Sequence, residues 1–209
     1  VGAQTKNRKC KVYLIHGNLN EEEMQSLYDK DTIKGYISAT HGEGFGIPIF
    51  NAVCADIPVI ATSWSGHMDF LSAPVVNEVS KRSKVKNLFL KVPYLIDKVK
   101  KEHLMPGLIN EGAKWAYPNM KVFRKNLRAL ASSRGFHAKE AKHLGQHVRE
   151  SFTRESVLQK IIDSSIDAGE NTSTTVGDME SKSMHTIQHT TVMMNMANQI
   201  TEMSKENNE

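Results

Sequence analysis

One acid set among three glycines carries most of the chemistry this chain offers. The sequence runs Ser38-Ala39-Thr40-His41-Gly42-Glu43-Gly44-Phe45-Gly46-Ile47-Pro48-Ile49-Phe50-Asn51-Ala52, then Ile57-Pro58-Val59-Ile60-Ala61-Thr62, then Ser65-Gly66-His67-Met68-Asp69-Phe70-Leu71. Gly42, Gly44 and Gly46 allow backbone conformations and close approaches that a side chain blocks. Behind them Ile47 to Ala55 reads as a helix with Pro48 in its first positions. The first N–H groups of a helix lack intrahelical partners and stand at the positive end of its dipole. An anion such as a diphosphate is favoured there. Glu43 is the discordant group, because a carboxylate beside that anion is repelled unless it faces a neutral, hydroxyl-rich part of the ligand. A sugar joined to a diphosphate supplies both. Taken alone, the same turn is equally a tight strand-to-helix corner carrying a solvated acid.

The ordered series beyond the turn says more than the turn. Glu43-Gly44-Phe45-Gly46-Ile47-Pro48, Ala52, Pro58-Val59-Ile60-Ala61 and Gly66 resemble the nucleotide-sugar-binding half of retaining GT-B glycosyltransferases (glycosyl transferases group 1, or family 4-like), near the glycogen-synthase-like and mannosyltransferase-like group. The likeness extends over roughly the first four fifths of the chain. It implies a doubly wound, Rossmann-like α/β domain, the carboxyl-terminal donor-binding half of that fold, followed by terminal helices and a disordered tail. It also implies transfer of a hexosyl group from a nucleotide sugar with retention of configuration, with no cofactor and no metal. Under the resemblance Glu43 is the catalytic acid that orients the donor sugar, and Gly44, Phe45, Gly46 and Ile47 line sugar and phosphates with backbone amides. His16 and Gly17 stand near the nucleobase, and Ser65, Gly66 and His67 border the diphosphate.

Two positions depart from that pattern. The family's second Glu, eight residues after the first, usually holds the ribose hydroxyls; here it is Asn51, which bonds a hydroxyl without charge assistance. Asp56 stands where the family prefers Gly. In addition, residues 1–10 do not align with the Arg and Lys that grip the diphosphate in the family. The chain therefore reads as a fragment or a split-gene product, with the acceptor-binding domain supplied in cis or in trans. Its isolated activity is expected to be weak or nil.

The elements that must position these groups follow from local pattern. Lys11 to Ile15 reads as a short buried strand ending at His16-Gly17-Asn18, although an ordinary turn histidine is an equal reading of His16. Asn20 is an N-cap, with Glu21, Glu22 and Glu23 in the first turn and Met24, Leu27 and Tyr28 at helical spacing behind it. Gly35 to Ala39 and Pro58 to Thr62 are further strands, so three loops converge on one rim through parallel crossovers. Trp64 is placed either to stack on a base or simply to pack. Leu88-Phe89-Leu90 and Val92 to Ile96 are strand candidates. A helix with Met120, Phe123, Leu127 and Leu130 at helical spacing ends near Ser133 to Gly135. Helices over 138–150 and from 151–153 to about Ile166 complete the domain, assigned to residues 1–167.

Length and composition agree with one soluble domain carrying an appendage. The chain has 209 residues, 39% hydrophobic and 24% charged, with no apolar run near the ~20 residues of a membrane span. No signal peptide is evident, and Cys10 and Cys54 show no metal or redox spacing, so a cytoplasmic setting is expected. The net charge of +4 hides an asymmetry. Residues 168–209 carry two lysines against six acids, a net of −4, which leaves +8 for the rest. That polar tail reads as disordered, with a possible short helix over 190–206. Lysines between 81 and 101, interleaved with aromatics, raise phosphate-backbone binding, but a solvated loop and blunted strand edge fit them better, and no nucleic acid is expected. His143 and His147 have helical metal-ligand spacing without a third ligand. A catalytically degenerate module used for binding or assembly is the competing function.

Overall fold

The structure, a computed structural model, describes residues 11–29 and 31–170. Its organising strand is β2 (Val59–Thr62), whose four residues are all buried. An unbroken apolar strand of this kind is covered on both faces. It pairs in parallel with β1 (Tyr36–Ser38), Ile37 opposite Ile60, and in parallel with β5 (Leu90–Val92), Ala61 opposite Lys91. Strand alternation then sends Val59 and Ala61 to one face and Ile60 to the other.

Each face has its own helices. Val59 and Ala61 join a core with Ile49, Phe50, Ala52 and Val53 of α2 (Ile47–Cys54) and Leu144 and Val148 of α4 (Arg134–Ser151). Ile60 and Val92 pack instead on Leu130, Phe123 and Leu127 of α3 (Met120–Ser132). The crossing of α4 over α2 is close: a Cβ on Gly145 would lie 2.6 Å from the Val53 carbonyl oxygen. Only glycine fits there without a shift of one helix.

The molecule is thus mixed α/β, and the expected doubly wound sheet is met only at that coarser level. The parallel sheet has three strands, β1-β2-β5, and the other strands among the described residues form two antiparallel hairpins. One joins β3 (Ser72–Val76) to β4 (Ser83–Asn87), with every β4 residue exposed. The other joins β6 (Tyr94–Lys98) to β7 (Lys114–Pro118).

One expected strand is absent. Residues 11–15 form no ladder, and Val12, Tyr13, Leu14 and Ile15 are largely exposed. An apolar run becomes a strand only when a neighbour accepts its backbone hydrogen bonds, and no described strand does so. The N-cap that follows is as expected. Asn20 Oδ1 accepts from Glu23 N at 2.9 Å and Glu23 Oε2 accepts from Asn20 N at 2.8 Å, a reciprocal pair that opens α1 (Glu21–Ser26). The helix α3 is capped by Asn119, whose Oδ1 accepts from Lys121 N and Val122 N. The break expected over 133–135 shrinks to Ser133, and α4 begins at Arg134, a turn earlier than the pattern predicts. The last helix, α5 (Arg154–Glu170), passes the expected boundary at 167. Cys10, the greater part of the tail and the 190–206 helix lie outside the described residues.

Candidate functional site

The site is built where β1 and β2 end side by side. Thr62, buried at the end of β2, donates from Oγ1 to the Thr40 carbonyl at 2.9 Å and so ties the two strand ends together. Beyond them the two glycine turns interlock. Ser65 Oγ donates to the Glu43 carbonyl at 2.6 Å, accepts from Glu43 N at 3.2 Å, and Gly66 N donates to the same carbonyl at 3.1 Å. The backbone of Glu43 is thereby fixed by the second turn, while its half-buried carboxylate has no ion-pair partner among the described residues.

The glycines differ in why they are glycine. A Cβ on Gly66 would meet the Gly44 carbonyl oxygen at 1.9 Å, so the two turns touch only because that atom is missing. Gly46 has φ +91°, in the left-handed region, and a Cβ there would lie 3.1 Å from His67 Cβ. For Gly44 a Cβ would meet nothing within 4 Å. Packing does not demand glycine at position 44, as it does not at Gly135, and the missing side chain leaves open space beside Glu43.

Phe45 anchors the turn from below. It is buried in a ring cluster, with centroids 5.3 Å from Phe50, 4.9 Å from Phe70 and 6.5 Å from Phe152. Its side chain belongs to the core, so any ligand contact at this position is through the backbone. Directly after it, α2 opens at Gly46 with no side-chain cap, and Ile47 is exposed. N–H groups at an uncapped helix start are those that favour an anion, although Pro48 supplies none. Beneath the second turn His67 is fully buried and donates from Nε2 to the Thr62 carbonyl at 2.6 Å. It acts as a brace for the turn.

Asn51 lies one turn along α2 and contacts Tyr28 rather than standing open. Burial raises the Tyr28 pKa, the charge of Tyr36 adds to this, and a hydrogen bond with Asn51 works against it. Tyr36 is raised by burial first and by the Glu43 carboxylate second, so the site's acid is felt by this tyrosine pair. Asp56, the other departure, has φ +58°, a conformation glycine holds without cost. The aspartate compensates by accepting from Arg149 Nη1 at 2.9 Å, and that guanidinium also bonds the Cys54 carbonyl.

Glu43, Gly44, Phe45, Gly46, Ile47, Ser65 and Gly66 are thus brought together, with Asn51 close behind. His16 and Gly17 are exposed, and neither is bonded to the turn. Without the expected strand before them they have no sheet end to stand on. Trp64 packs obliquely on Tyr94, 5.1 Å between centroids. His143 Nε2 donates to the Pro74 carbonyl at 2.8 Å, and no cluster of three potential metal ligands occurs among the described residues. A cavity of about 280 Å³ lined in part by Ile33, Pro58 and Arg134 lies at the opposite, amino ends of β1 and β2. Parallel sheets bind ligands at carboxyl ends, where the two turns lie.

Two features of the site escape the sequence reading. One is Tyr28, whose helical spacing marks it only as packing. The other is His41, which lies inside the turn but is overshadowed by the glycines, and which the β6–β7 hairpin clasps through Trp115, Ala116 and Tyr117. The alternation of Trp115 and Tyr117 was the available signal. Comparison with protein-family models, with curated proteins and with solved structures finds no match to this chain.

Proposed function

We propose that this chain is the donor-binding half of a retaining glycosyltransferase, and that it binds a nucleotide sugar across the two interlocked turns. The observation that carries this reading is Gly44, a glycine the fold does not require, set between a fixed acid and an uncapped helix start. The diphosphate lies against the amides at the start of α2, and Glu43 accepts from hydroxyls of the sugar. As the bond to the leaving diphosphate lengthens, negative charge grows on that group, and preorganised N–H donors stabilise it. Glu43 holds the sugar in the orientation that transfer needs. A hexose, a cytoplasmic setting and an acceptor domain in cis or in trans follow from the resemblance.

The contact between Asn51 and Tyr28 favours a second reading, a binding or assembly module that has lost catalysis. A side chain engaged within the fold is less available to ribose. Titration calorimetry with UDP, GDP, ADP and their glucose and mannose conjugates separates the two, using the 209-residue chain and its Glu43→Ala variant. Sugar-dependent binding that Glu43→Ala removes supports the donor site. Absence of binding at millimolar concentration refutes it and leaves the module.

A further inference from the structure

We infer that His41 is a second ligand-contacting side chain of this site, with Nε2 accepting a hydrogen bond from a hydroxyl of the bound sugar. The inference rests on the donor-site reading above. It starts from the chemistry of the partner atom. His41 Nδ1 lies 2.9 Å from the Ala116 carbonyl oxygen, which has lone pairs and no proton to give. Nδ1 must therefore carry the hydrogen, and in the neutral ring the lone pair is left on Nε2. That nitrogen has no partner among the described residues, although the residue is only half exposed.

The ring is also held still. Trp115 stacks on it with centroids 4.6 Å apart at 14°, and Tyr117 meets it edge-on at 4.8 Å and 66°. Both belong to β7, whose Ala116 is fully buried, and Tyr117 donates from its hydroxyl to the Lys98 carbonyl across the hairpin at 3.2 Å. A histidine needed only to fasten the hairpin to the turn would be satisfied by the stack and the Ala116 bond. Here the same clamp fixes the tautomer and leaves one acceptor open, two residues before Glu43 in the same turn. A locked ring loses little entropy on binding, which is the property of a preorganised contact. By comparison, His67 also has an unpartnered nitrogen, Nδ1, but that atom is sealed in the interior.

The test is long-range ¹⁵N–¹H NMR of the ¹⁵N-histidine-labelled 209-residue chain, with UDP-glucose, GDP-mannose and ADP-glucose as probes and UDP, GDP and ADP as controls. In the free chain His41 is expected as the Nδ1–H tautomer. The nucleotide sugar that binds should shift the Nε2 resonance, while its bare diphosphate should not. His41→Phe, which keeps an aromatic stack and removes both nitrogens, should weaken that sugar conjugate at least tenfold and leave the bare diphosphate unchanged. An Nε2–H tautomer in the free chain overturns the inference without touching the donor-site reading. So does calorimetric binding with an unmoved Nε2 resonance or an unaltered His41→Phe affinity. If no conjugate binds wild type, both fall together.

Discussion

Replacing Gly66 by alanine tests the interlock of the two turns directly. The new Cβ would stand 1.9 Å from the Gly44 oxygen, 2.8 Å from its carbonyl carbon and 3.1 Å from the Glu43 oxygen, whereas real Cβ contacts stay beyond 3.0 Å. The turns must separate by about 1 Å, which is enough to stretch the 3.1 Å Gly66–Glu43 hydrogen bond out of range. Overpacking of this kind costs about 1–3 kcal/mol, and the lost hydrogen bond about 1 kcal/mol more. For a domain of this length the melting temperature should fall by roughly 5–15 °C. Gly44→Ala is the control, since its Cβ enters open space and stability should stay within about 0.5 kcal/mol of wild type. Circular dichroism melts of the three proteins decide the matter. A Gly66→Ala variant melting within about 2 °C of wild type would refute the interlock. Calorimetry on the same samples adds the functional half: Gly44→Ala should lose nucleotide-sugar binding while keeping its fold.

Asp56→Ala keeps the left-handed backbone strain and loses the Arg149 partner, so urea unfolding should show a loss of about 2 kcal/mol. Asp56→Gly relieves the strain as it breaks the pair, and should stay within about 1 kcal/mol of wild type; equal losses in both variants would contradict this account. Burial pushes the Cys54 thiol up to about 12, the Arg149 guanidinium pulling it down and Asp56 adding to the rise, so iodoacetamide at pH 8 should label it only after unfolding. Tyr28 and Tyr36 are raised as well, so all three groups hold their protons more tightly folded than unfolded. Their contribution is intact below pH 9 and fades as pH rises through the thiol's folded value near 12, so stability should fall in that window. Melting temperatures from pH 8 to 11 should decline less steeply in Cys54→Ala than in wild type.

How much was legible in the sequence followed from how local each signal is. The unit β1, turn, α2, β2 could be read within one or two residues because glycine, proline and a four-residue apolar strand are self-contained cues. The Asn20 cap is equally local. The β3–β4 hairpin was not legible, because Ser83–Asn87 is polar, wholly exposed and held only by pairing with Ser72–Val76. The opposite error fell on residues 11–15, where an apolar run looked like a strand although strand formation depends on a partner the pattern cannot supply. His41 combines both difficulties. Its contacts with Trp115, Ala116 and Tyr117 span more than seventy positions, and only the folded hairpin brings them to the turn.

The two departures from the resembled pattern gain meaning from the same comparison of local cue and folded context. Read along the chain, Asn51 and Asp56 are each a lost feature, one charge and one glycine. In the fold each has acquired a partner, Tyr28 for Asn51 and Arg149 for Asp56. The aspartate sits in a backbone conformation that explains why glycine suits the position, and it binds α4 to the end of α2 in return. Both contacts join α2, or the chain just past its end, to another part of the fold. The turn at the start of α2 keeps the fixed acid, the open glycine and the uncapped amides on which the proposed donor binding rests.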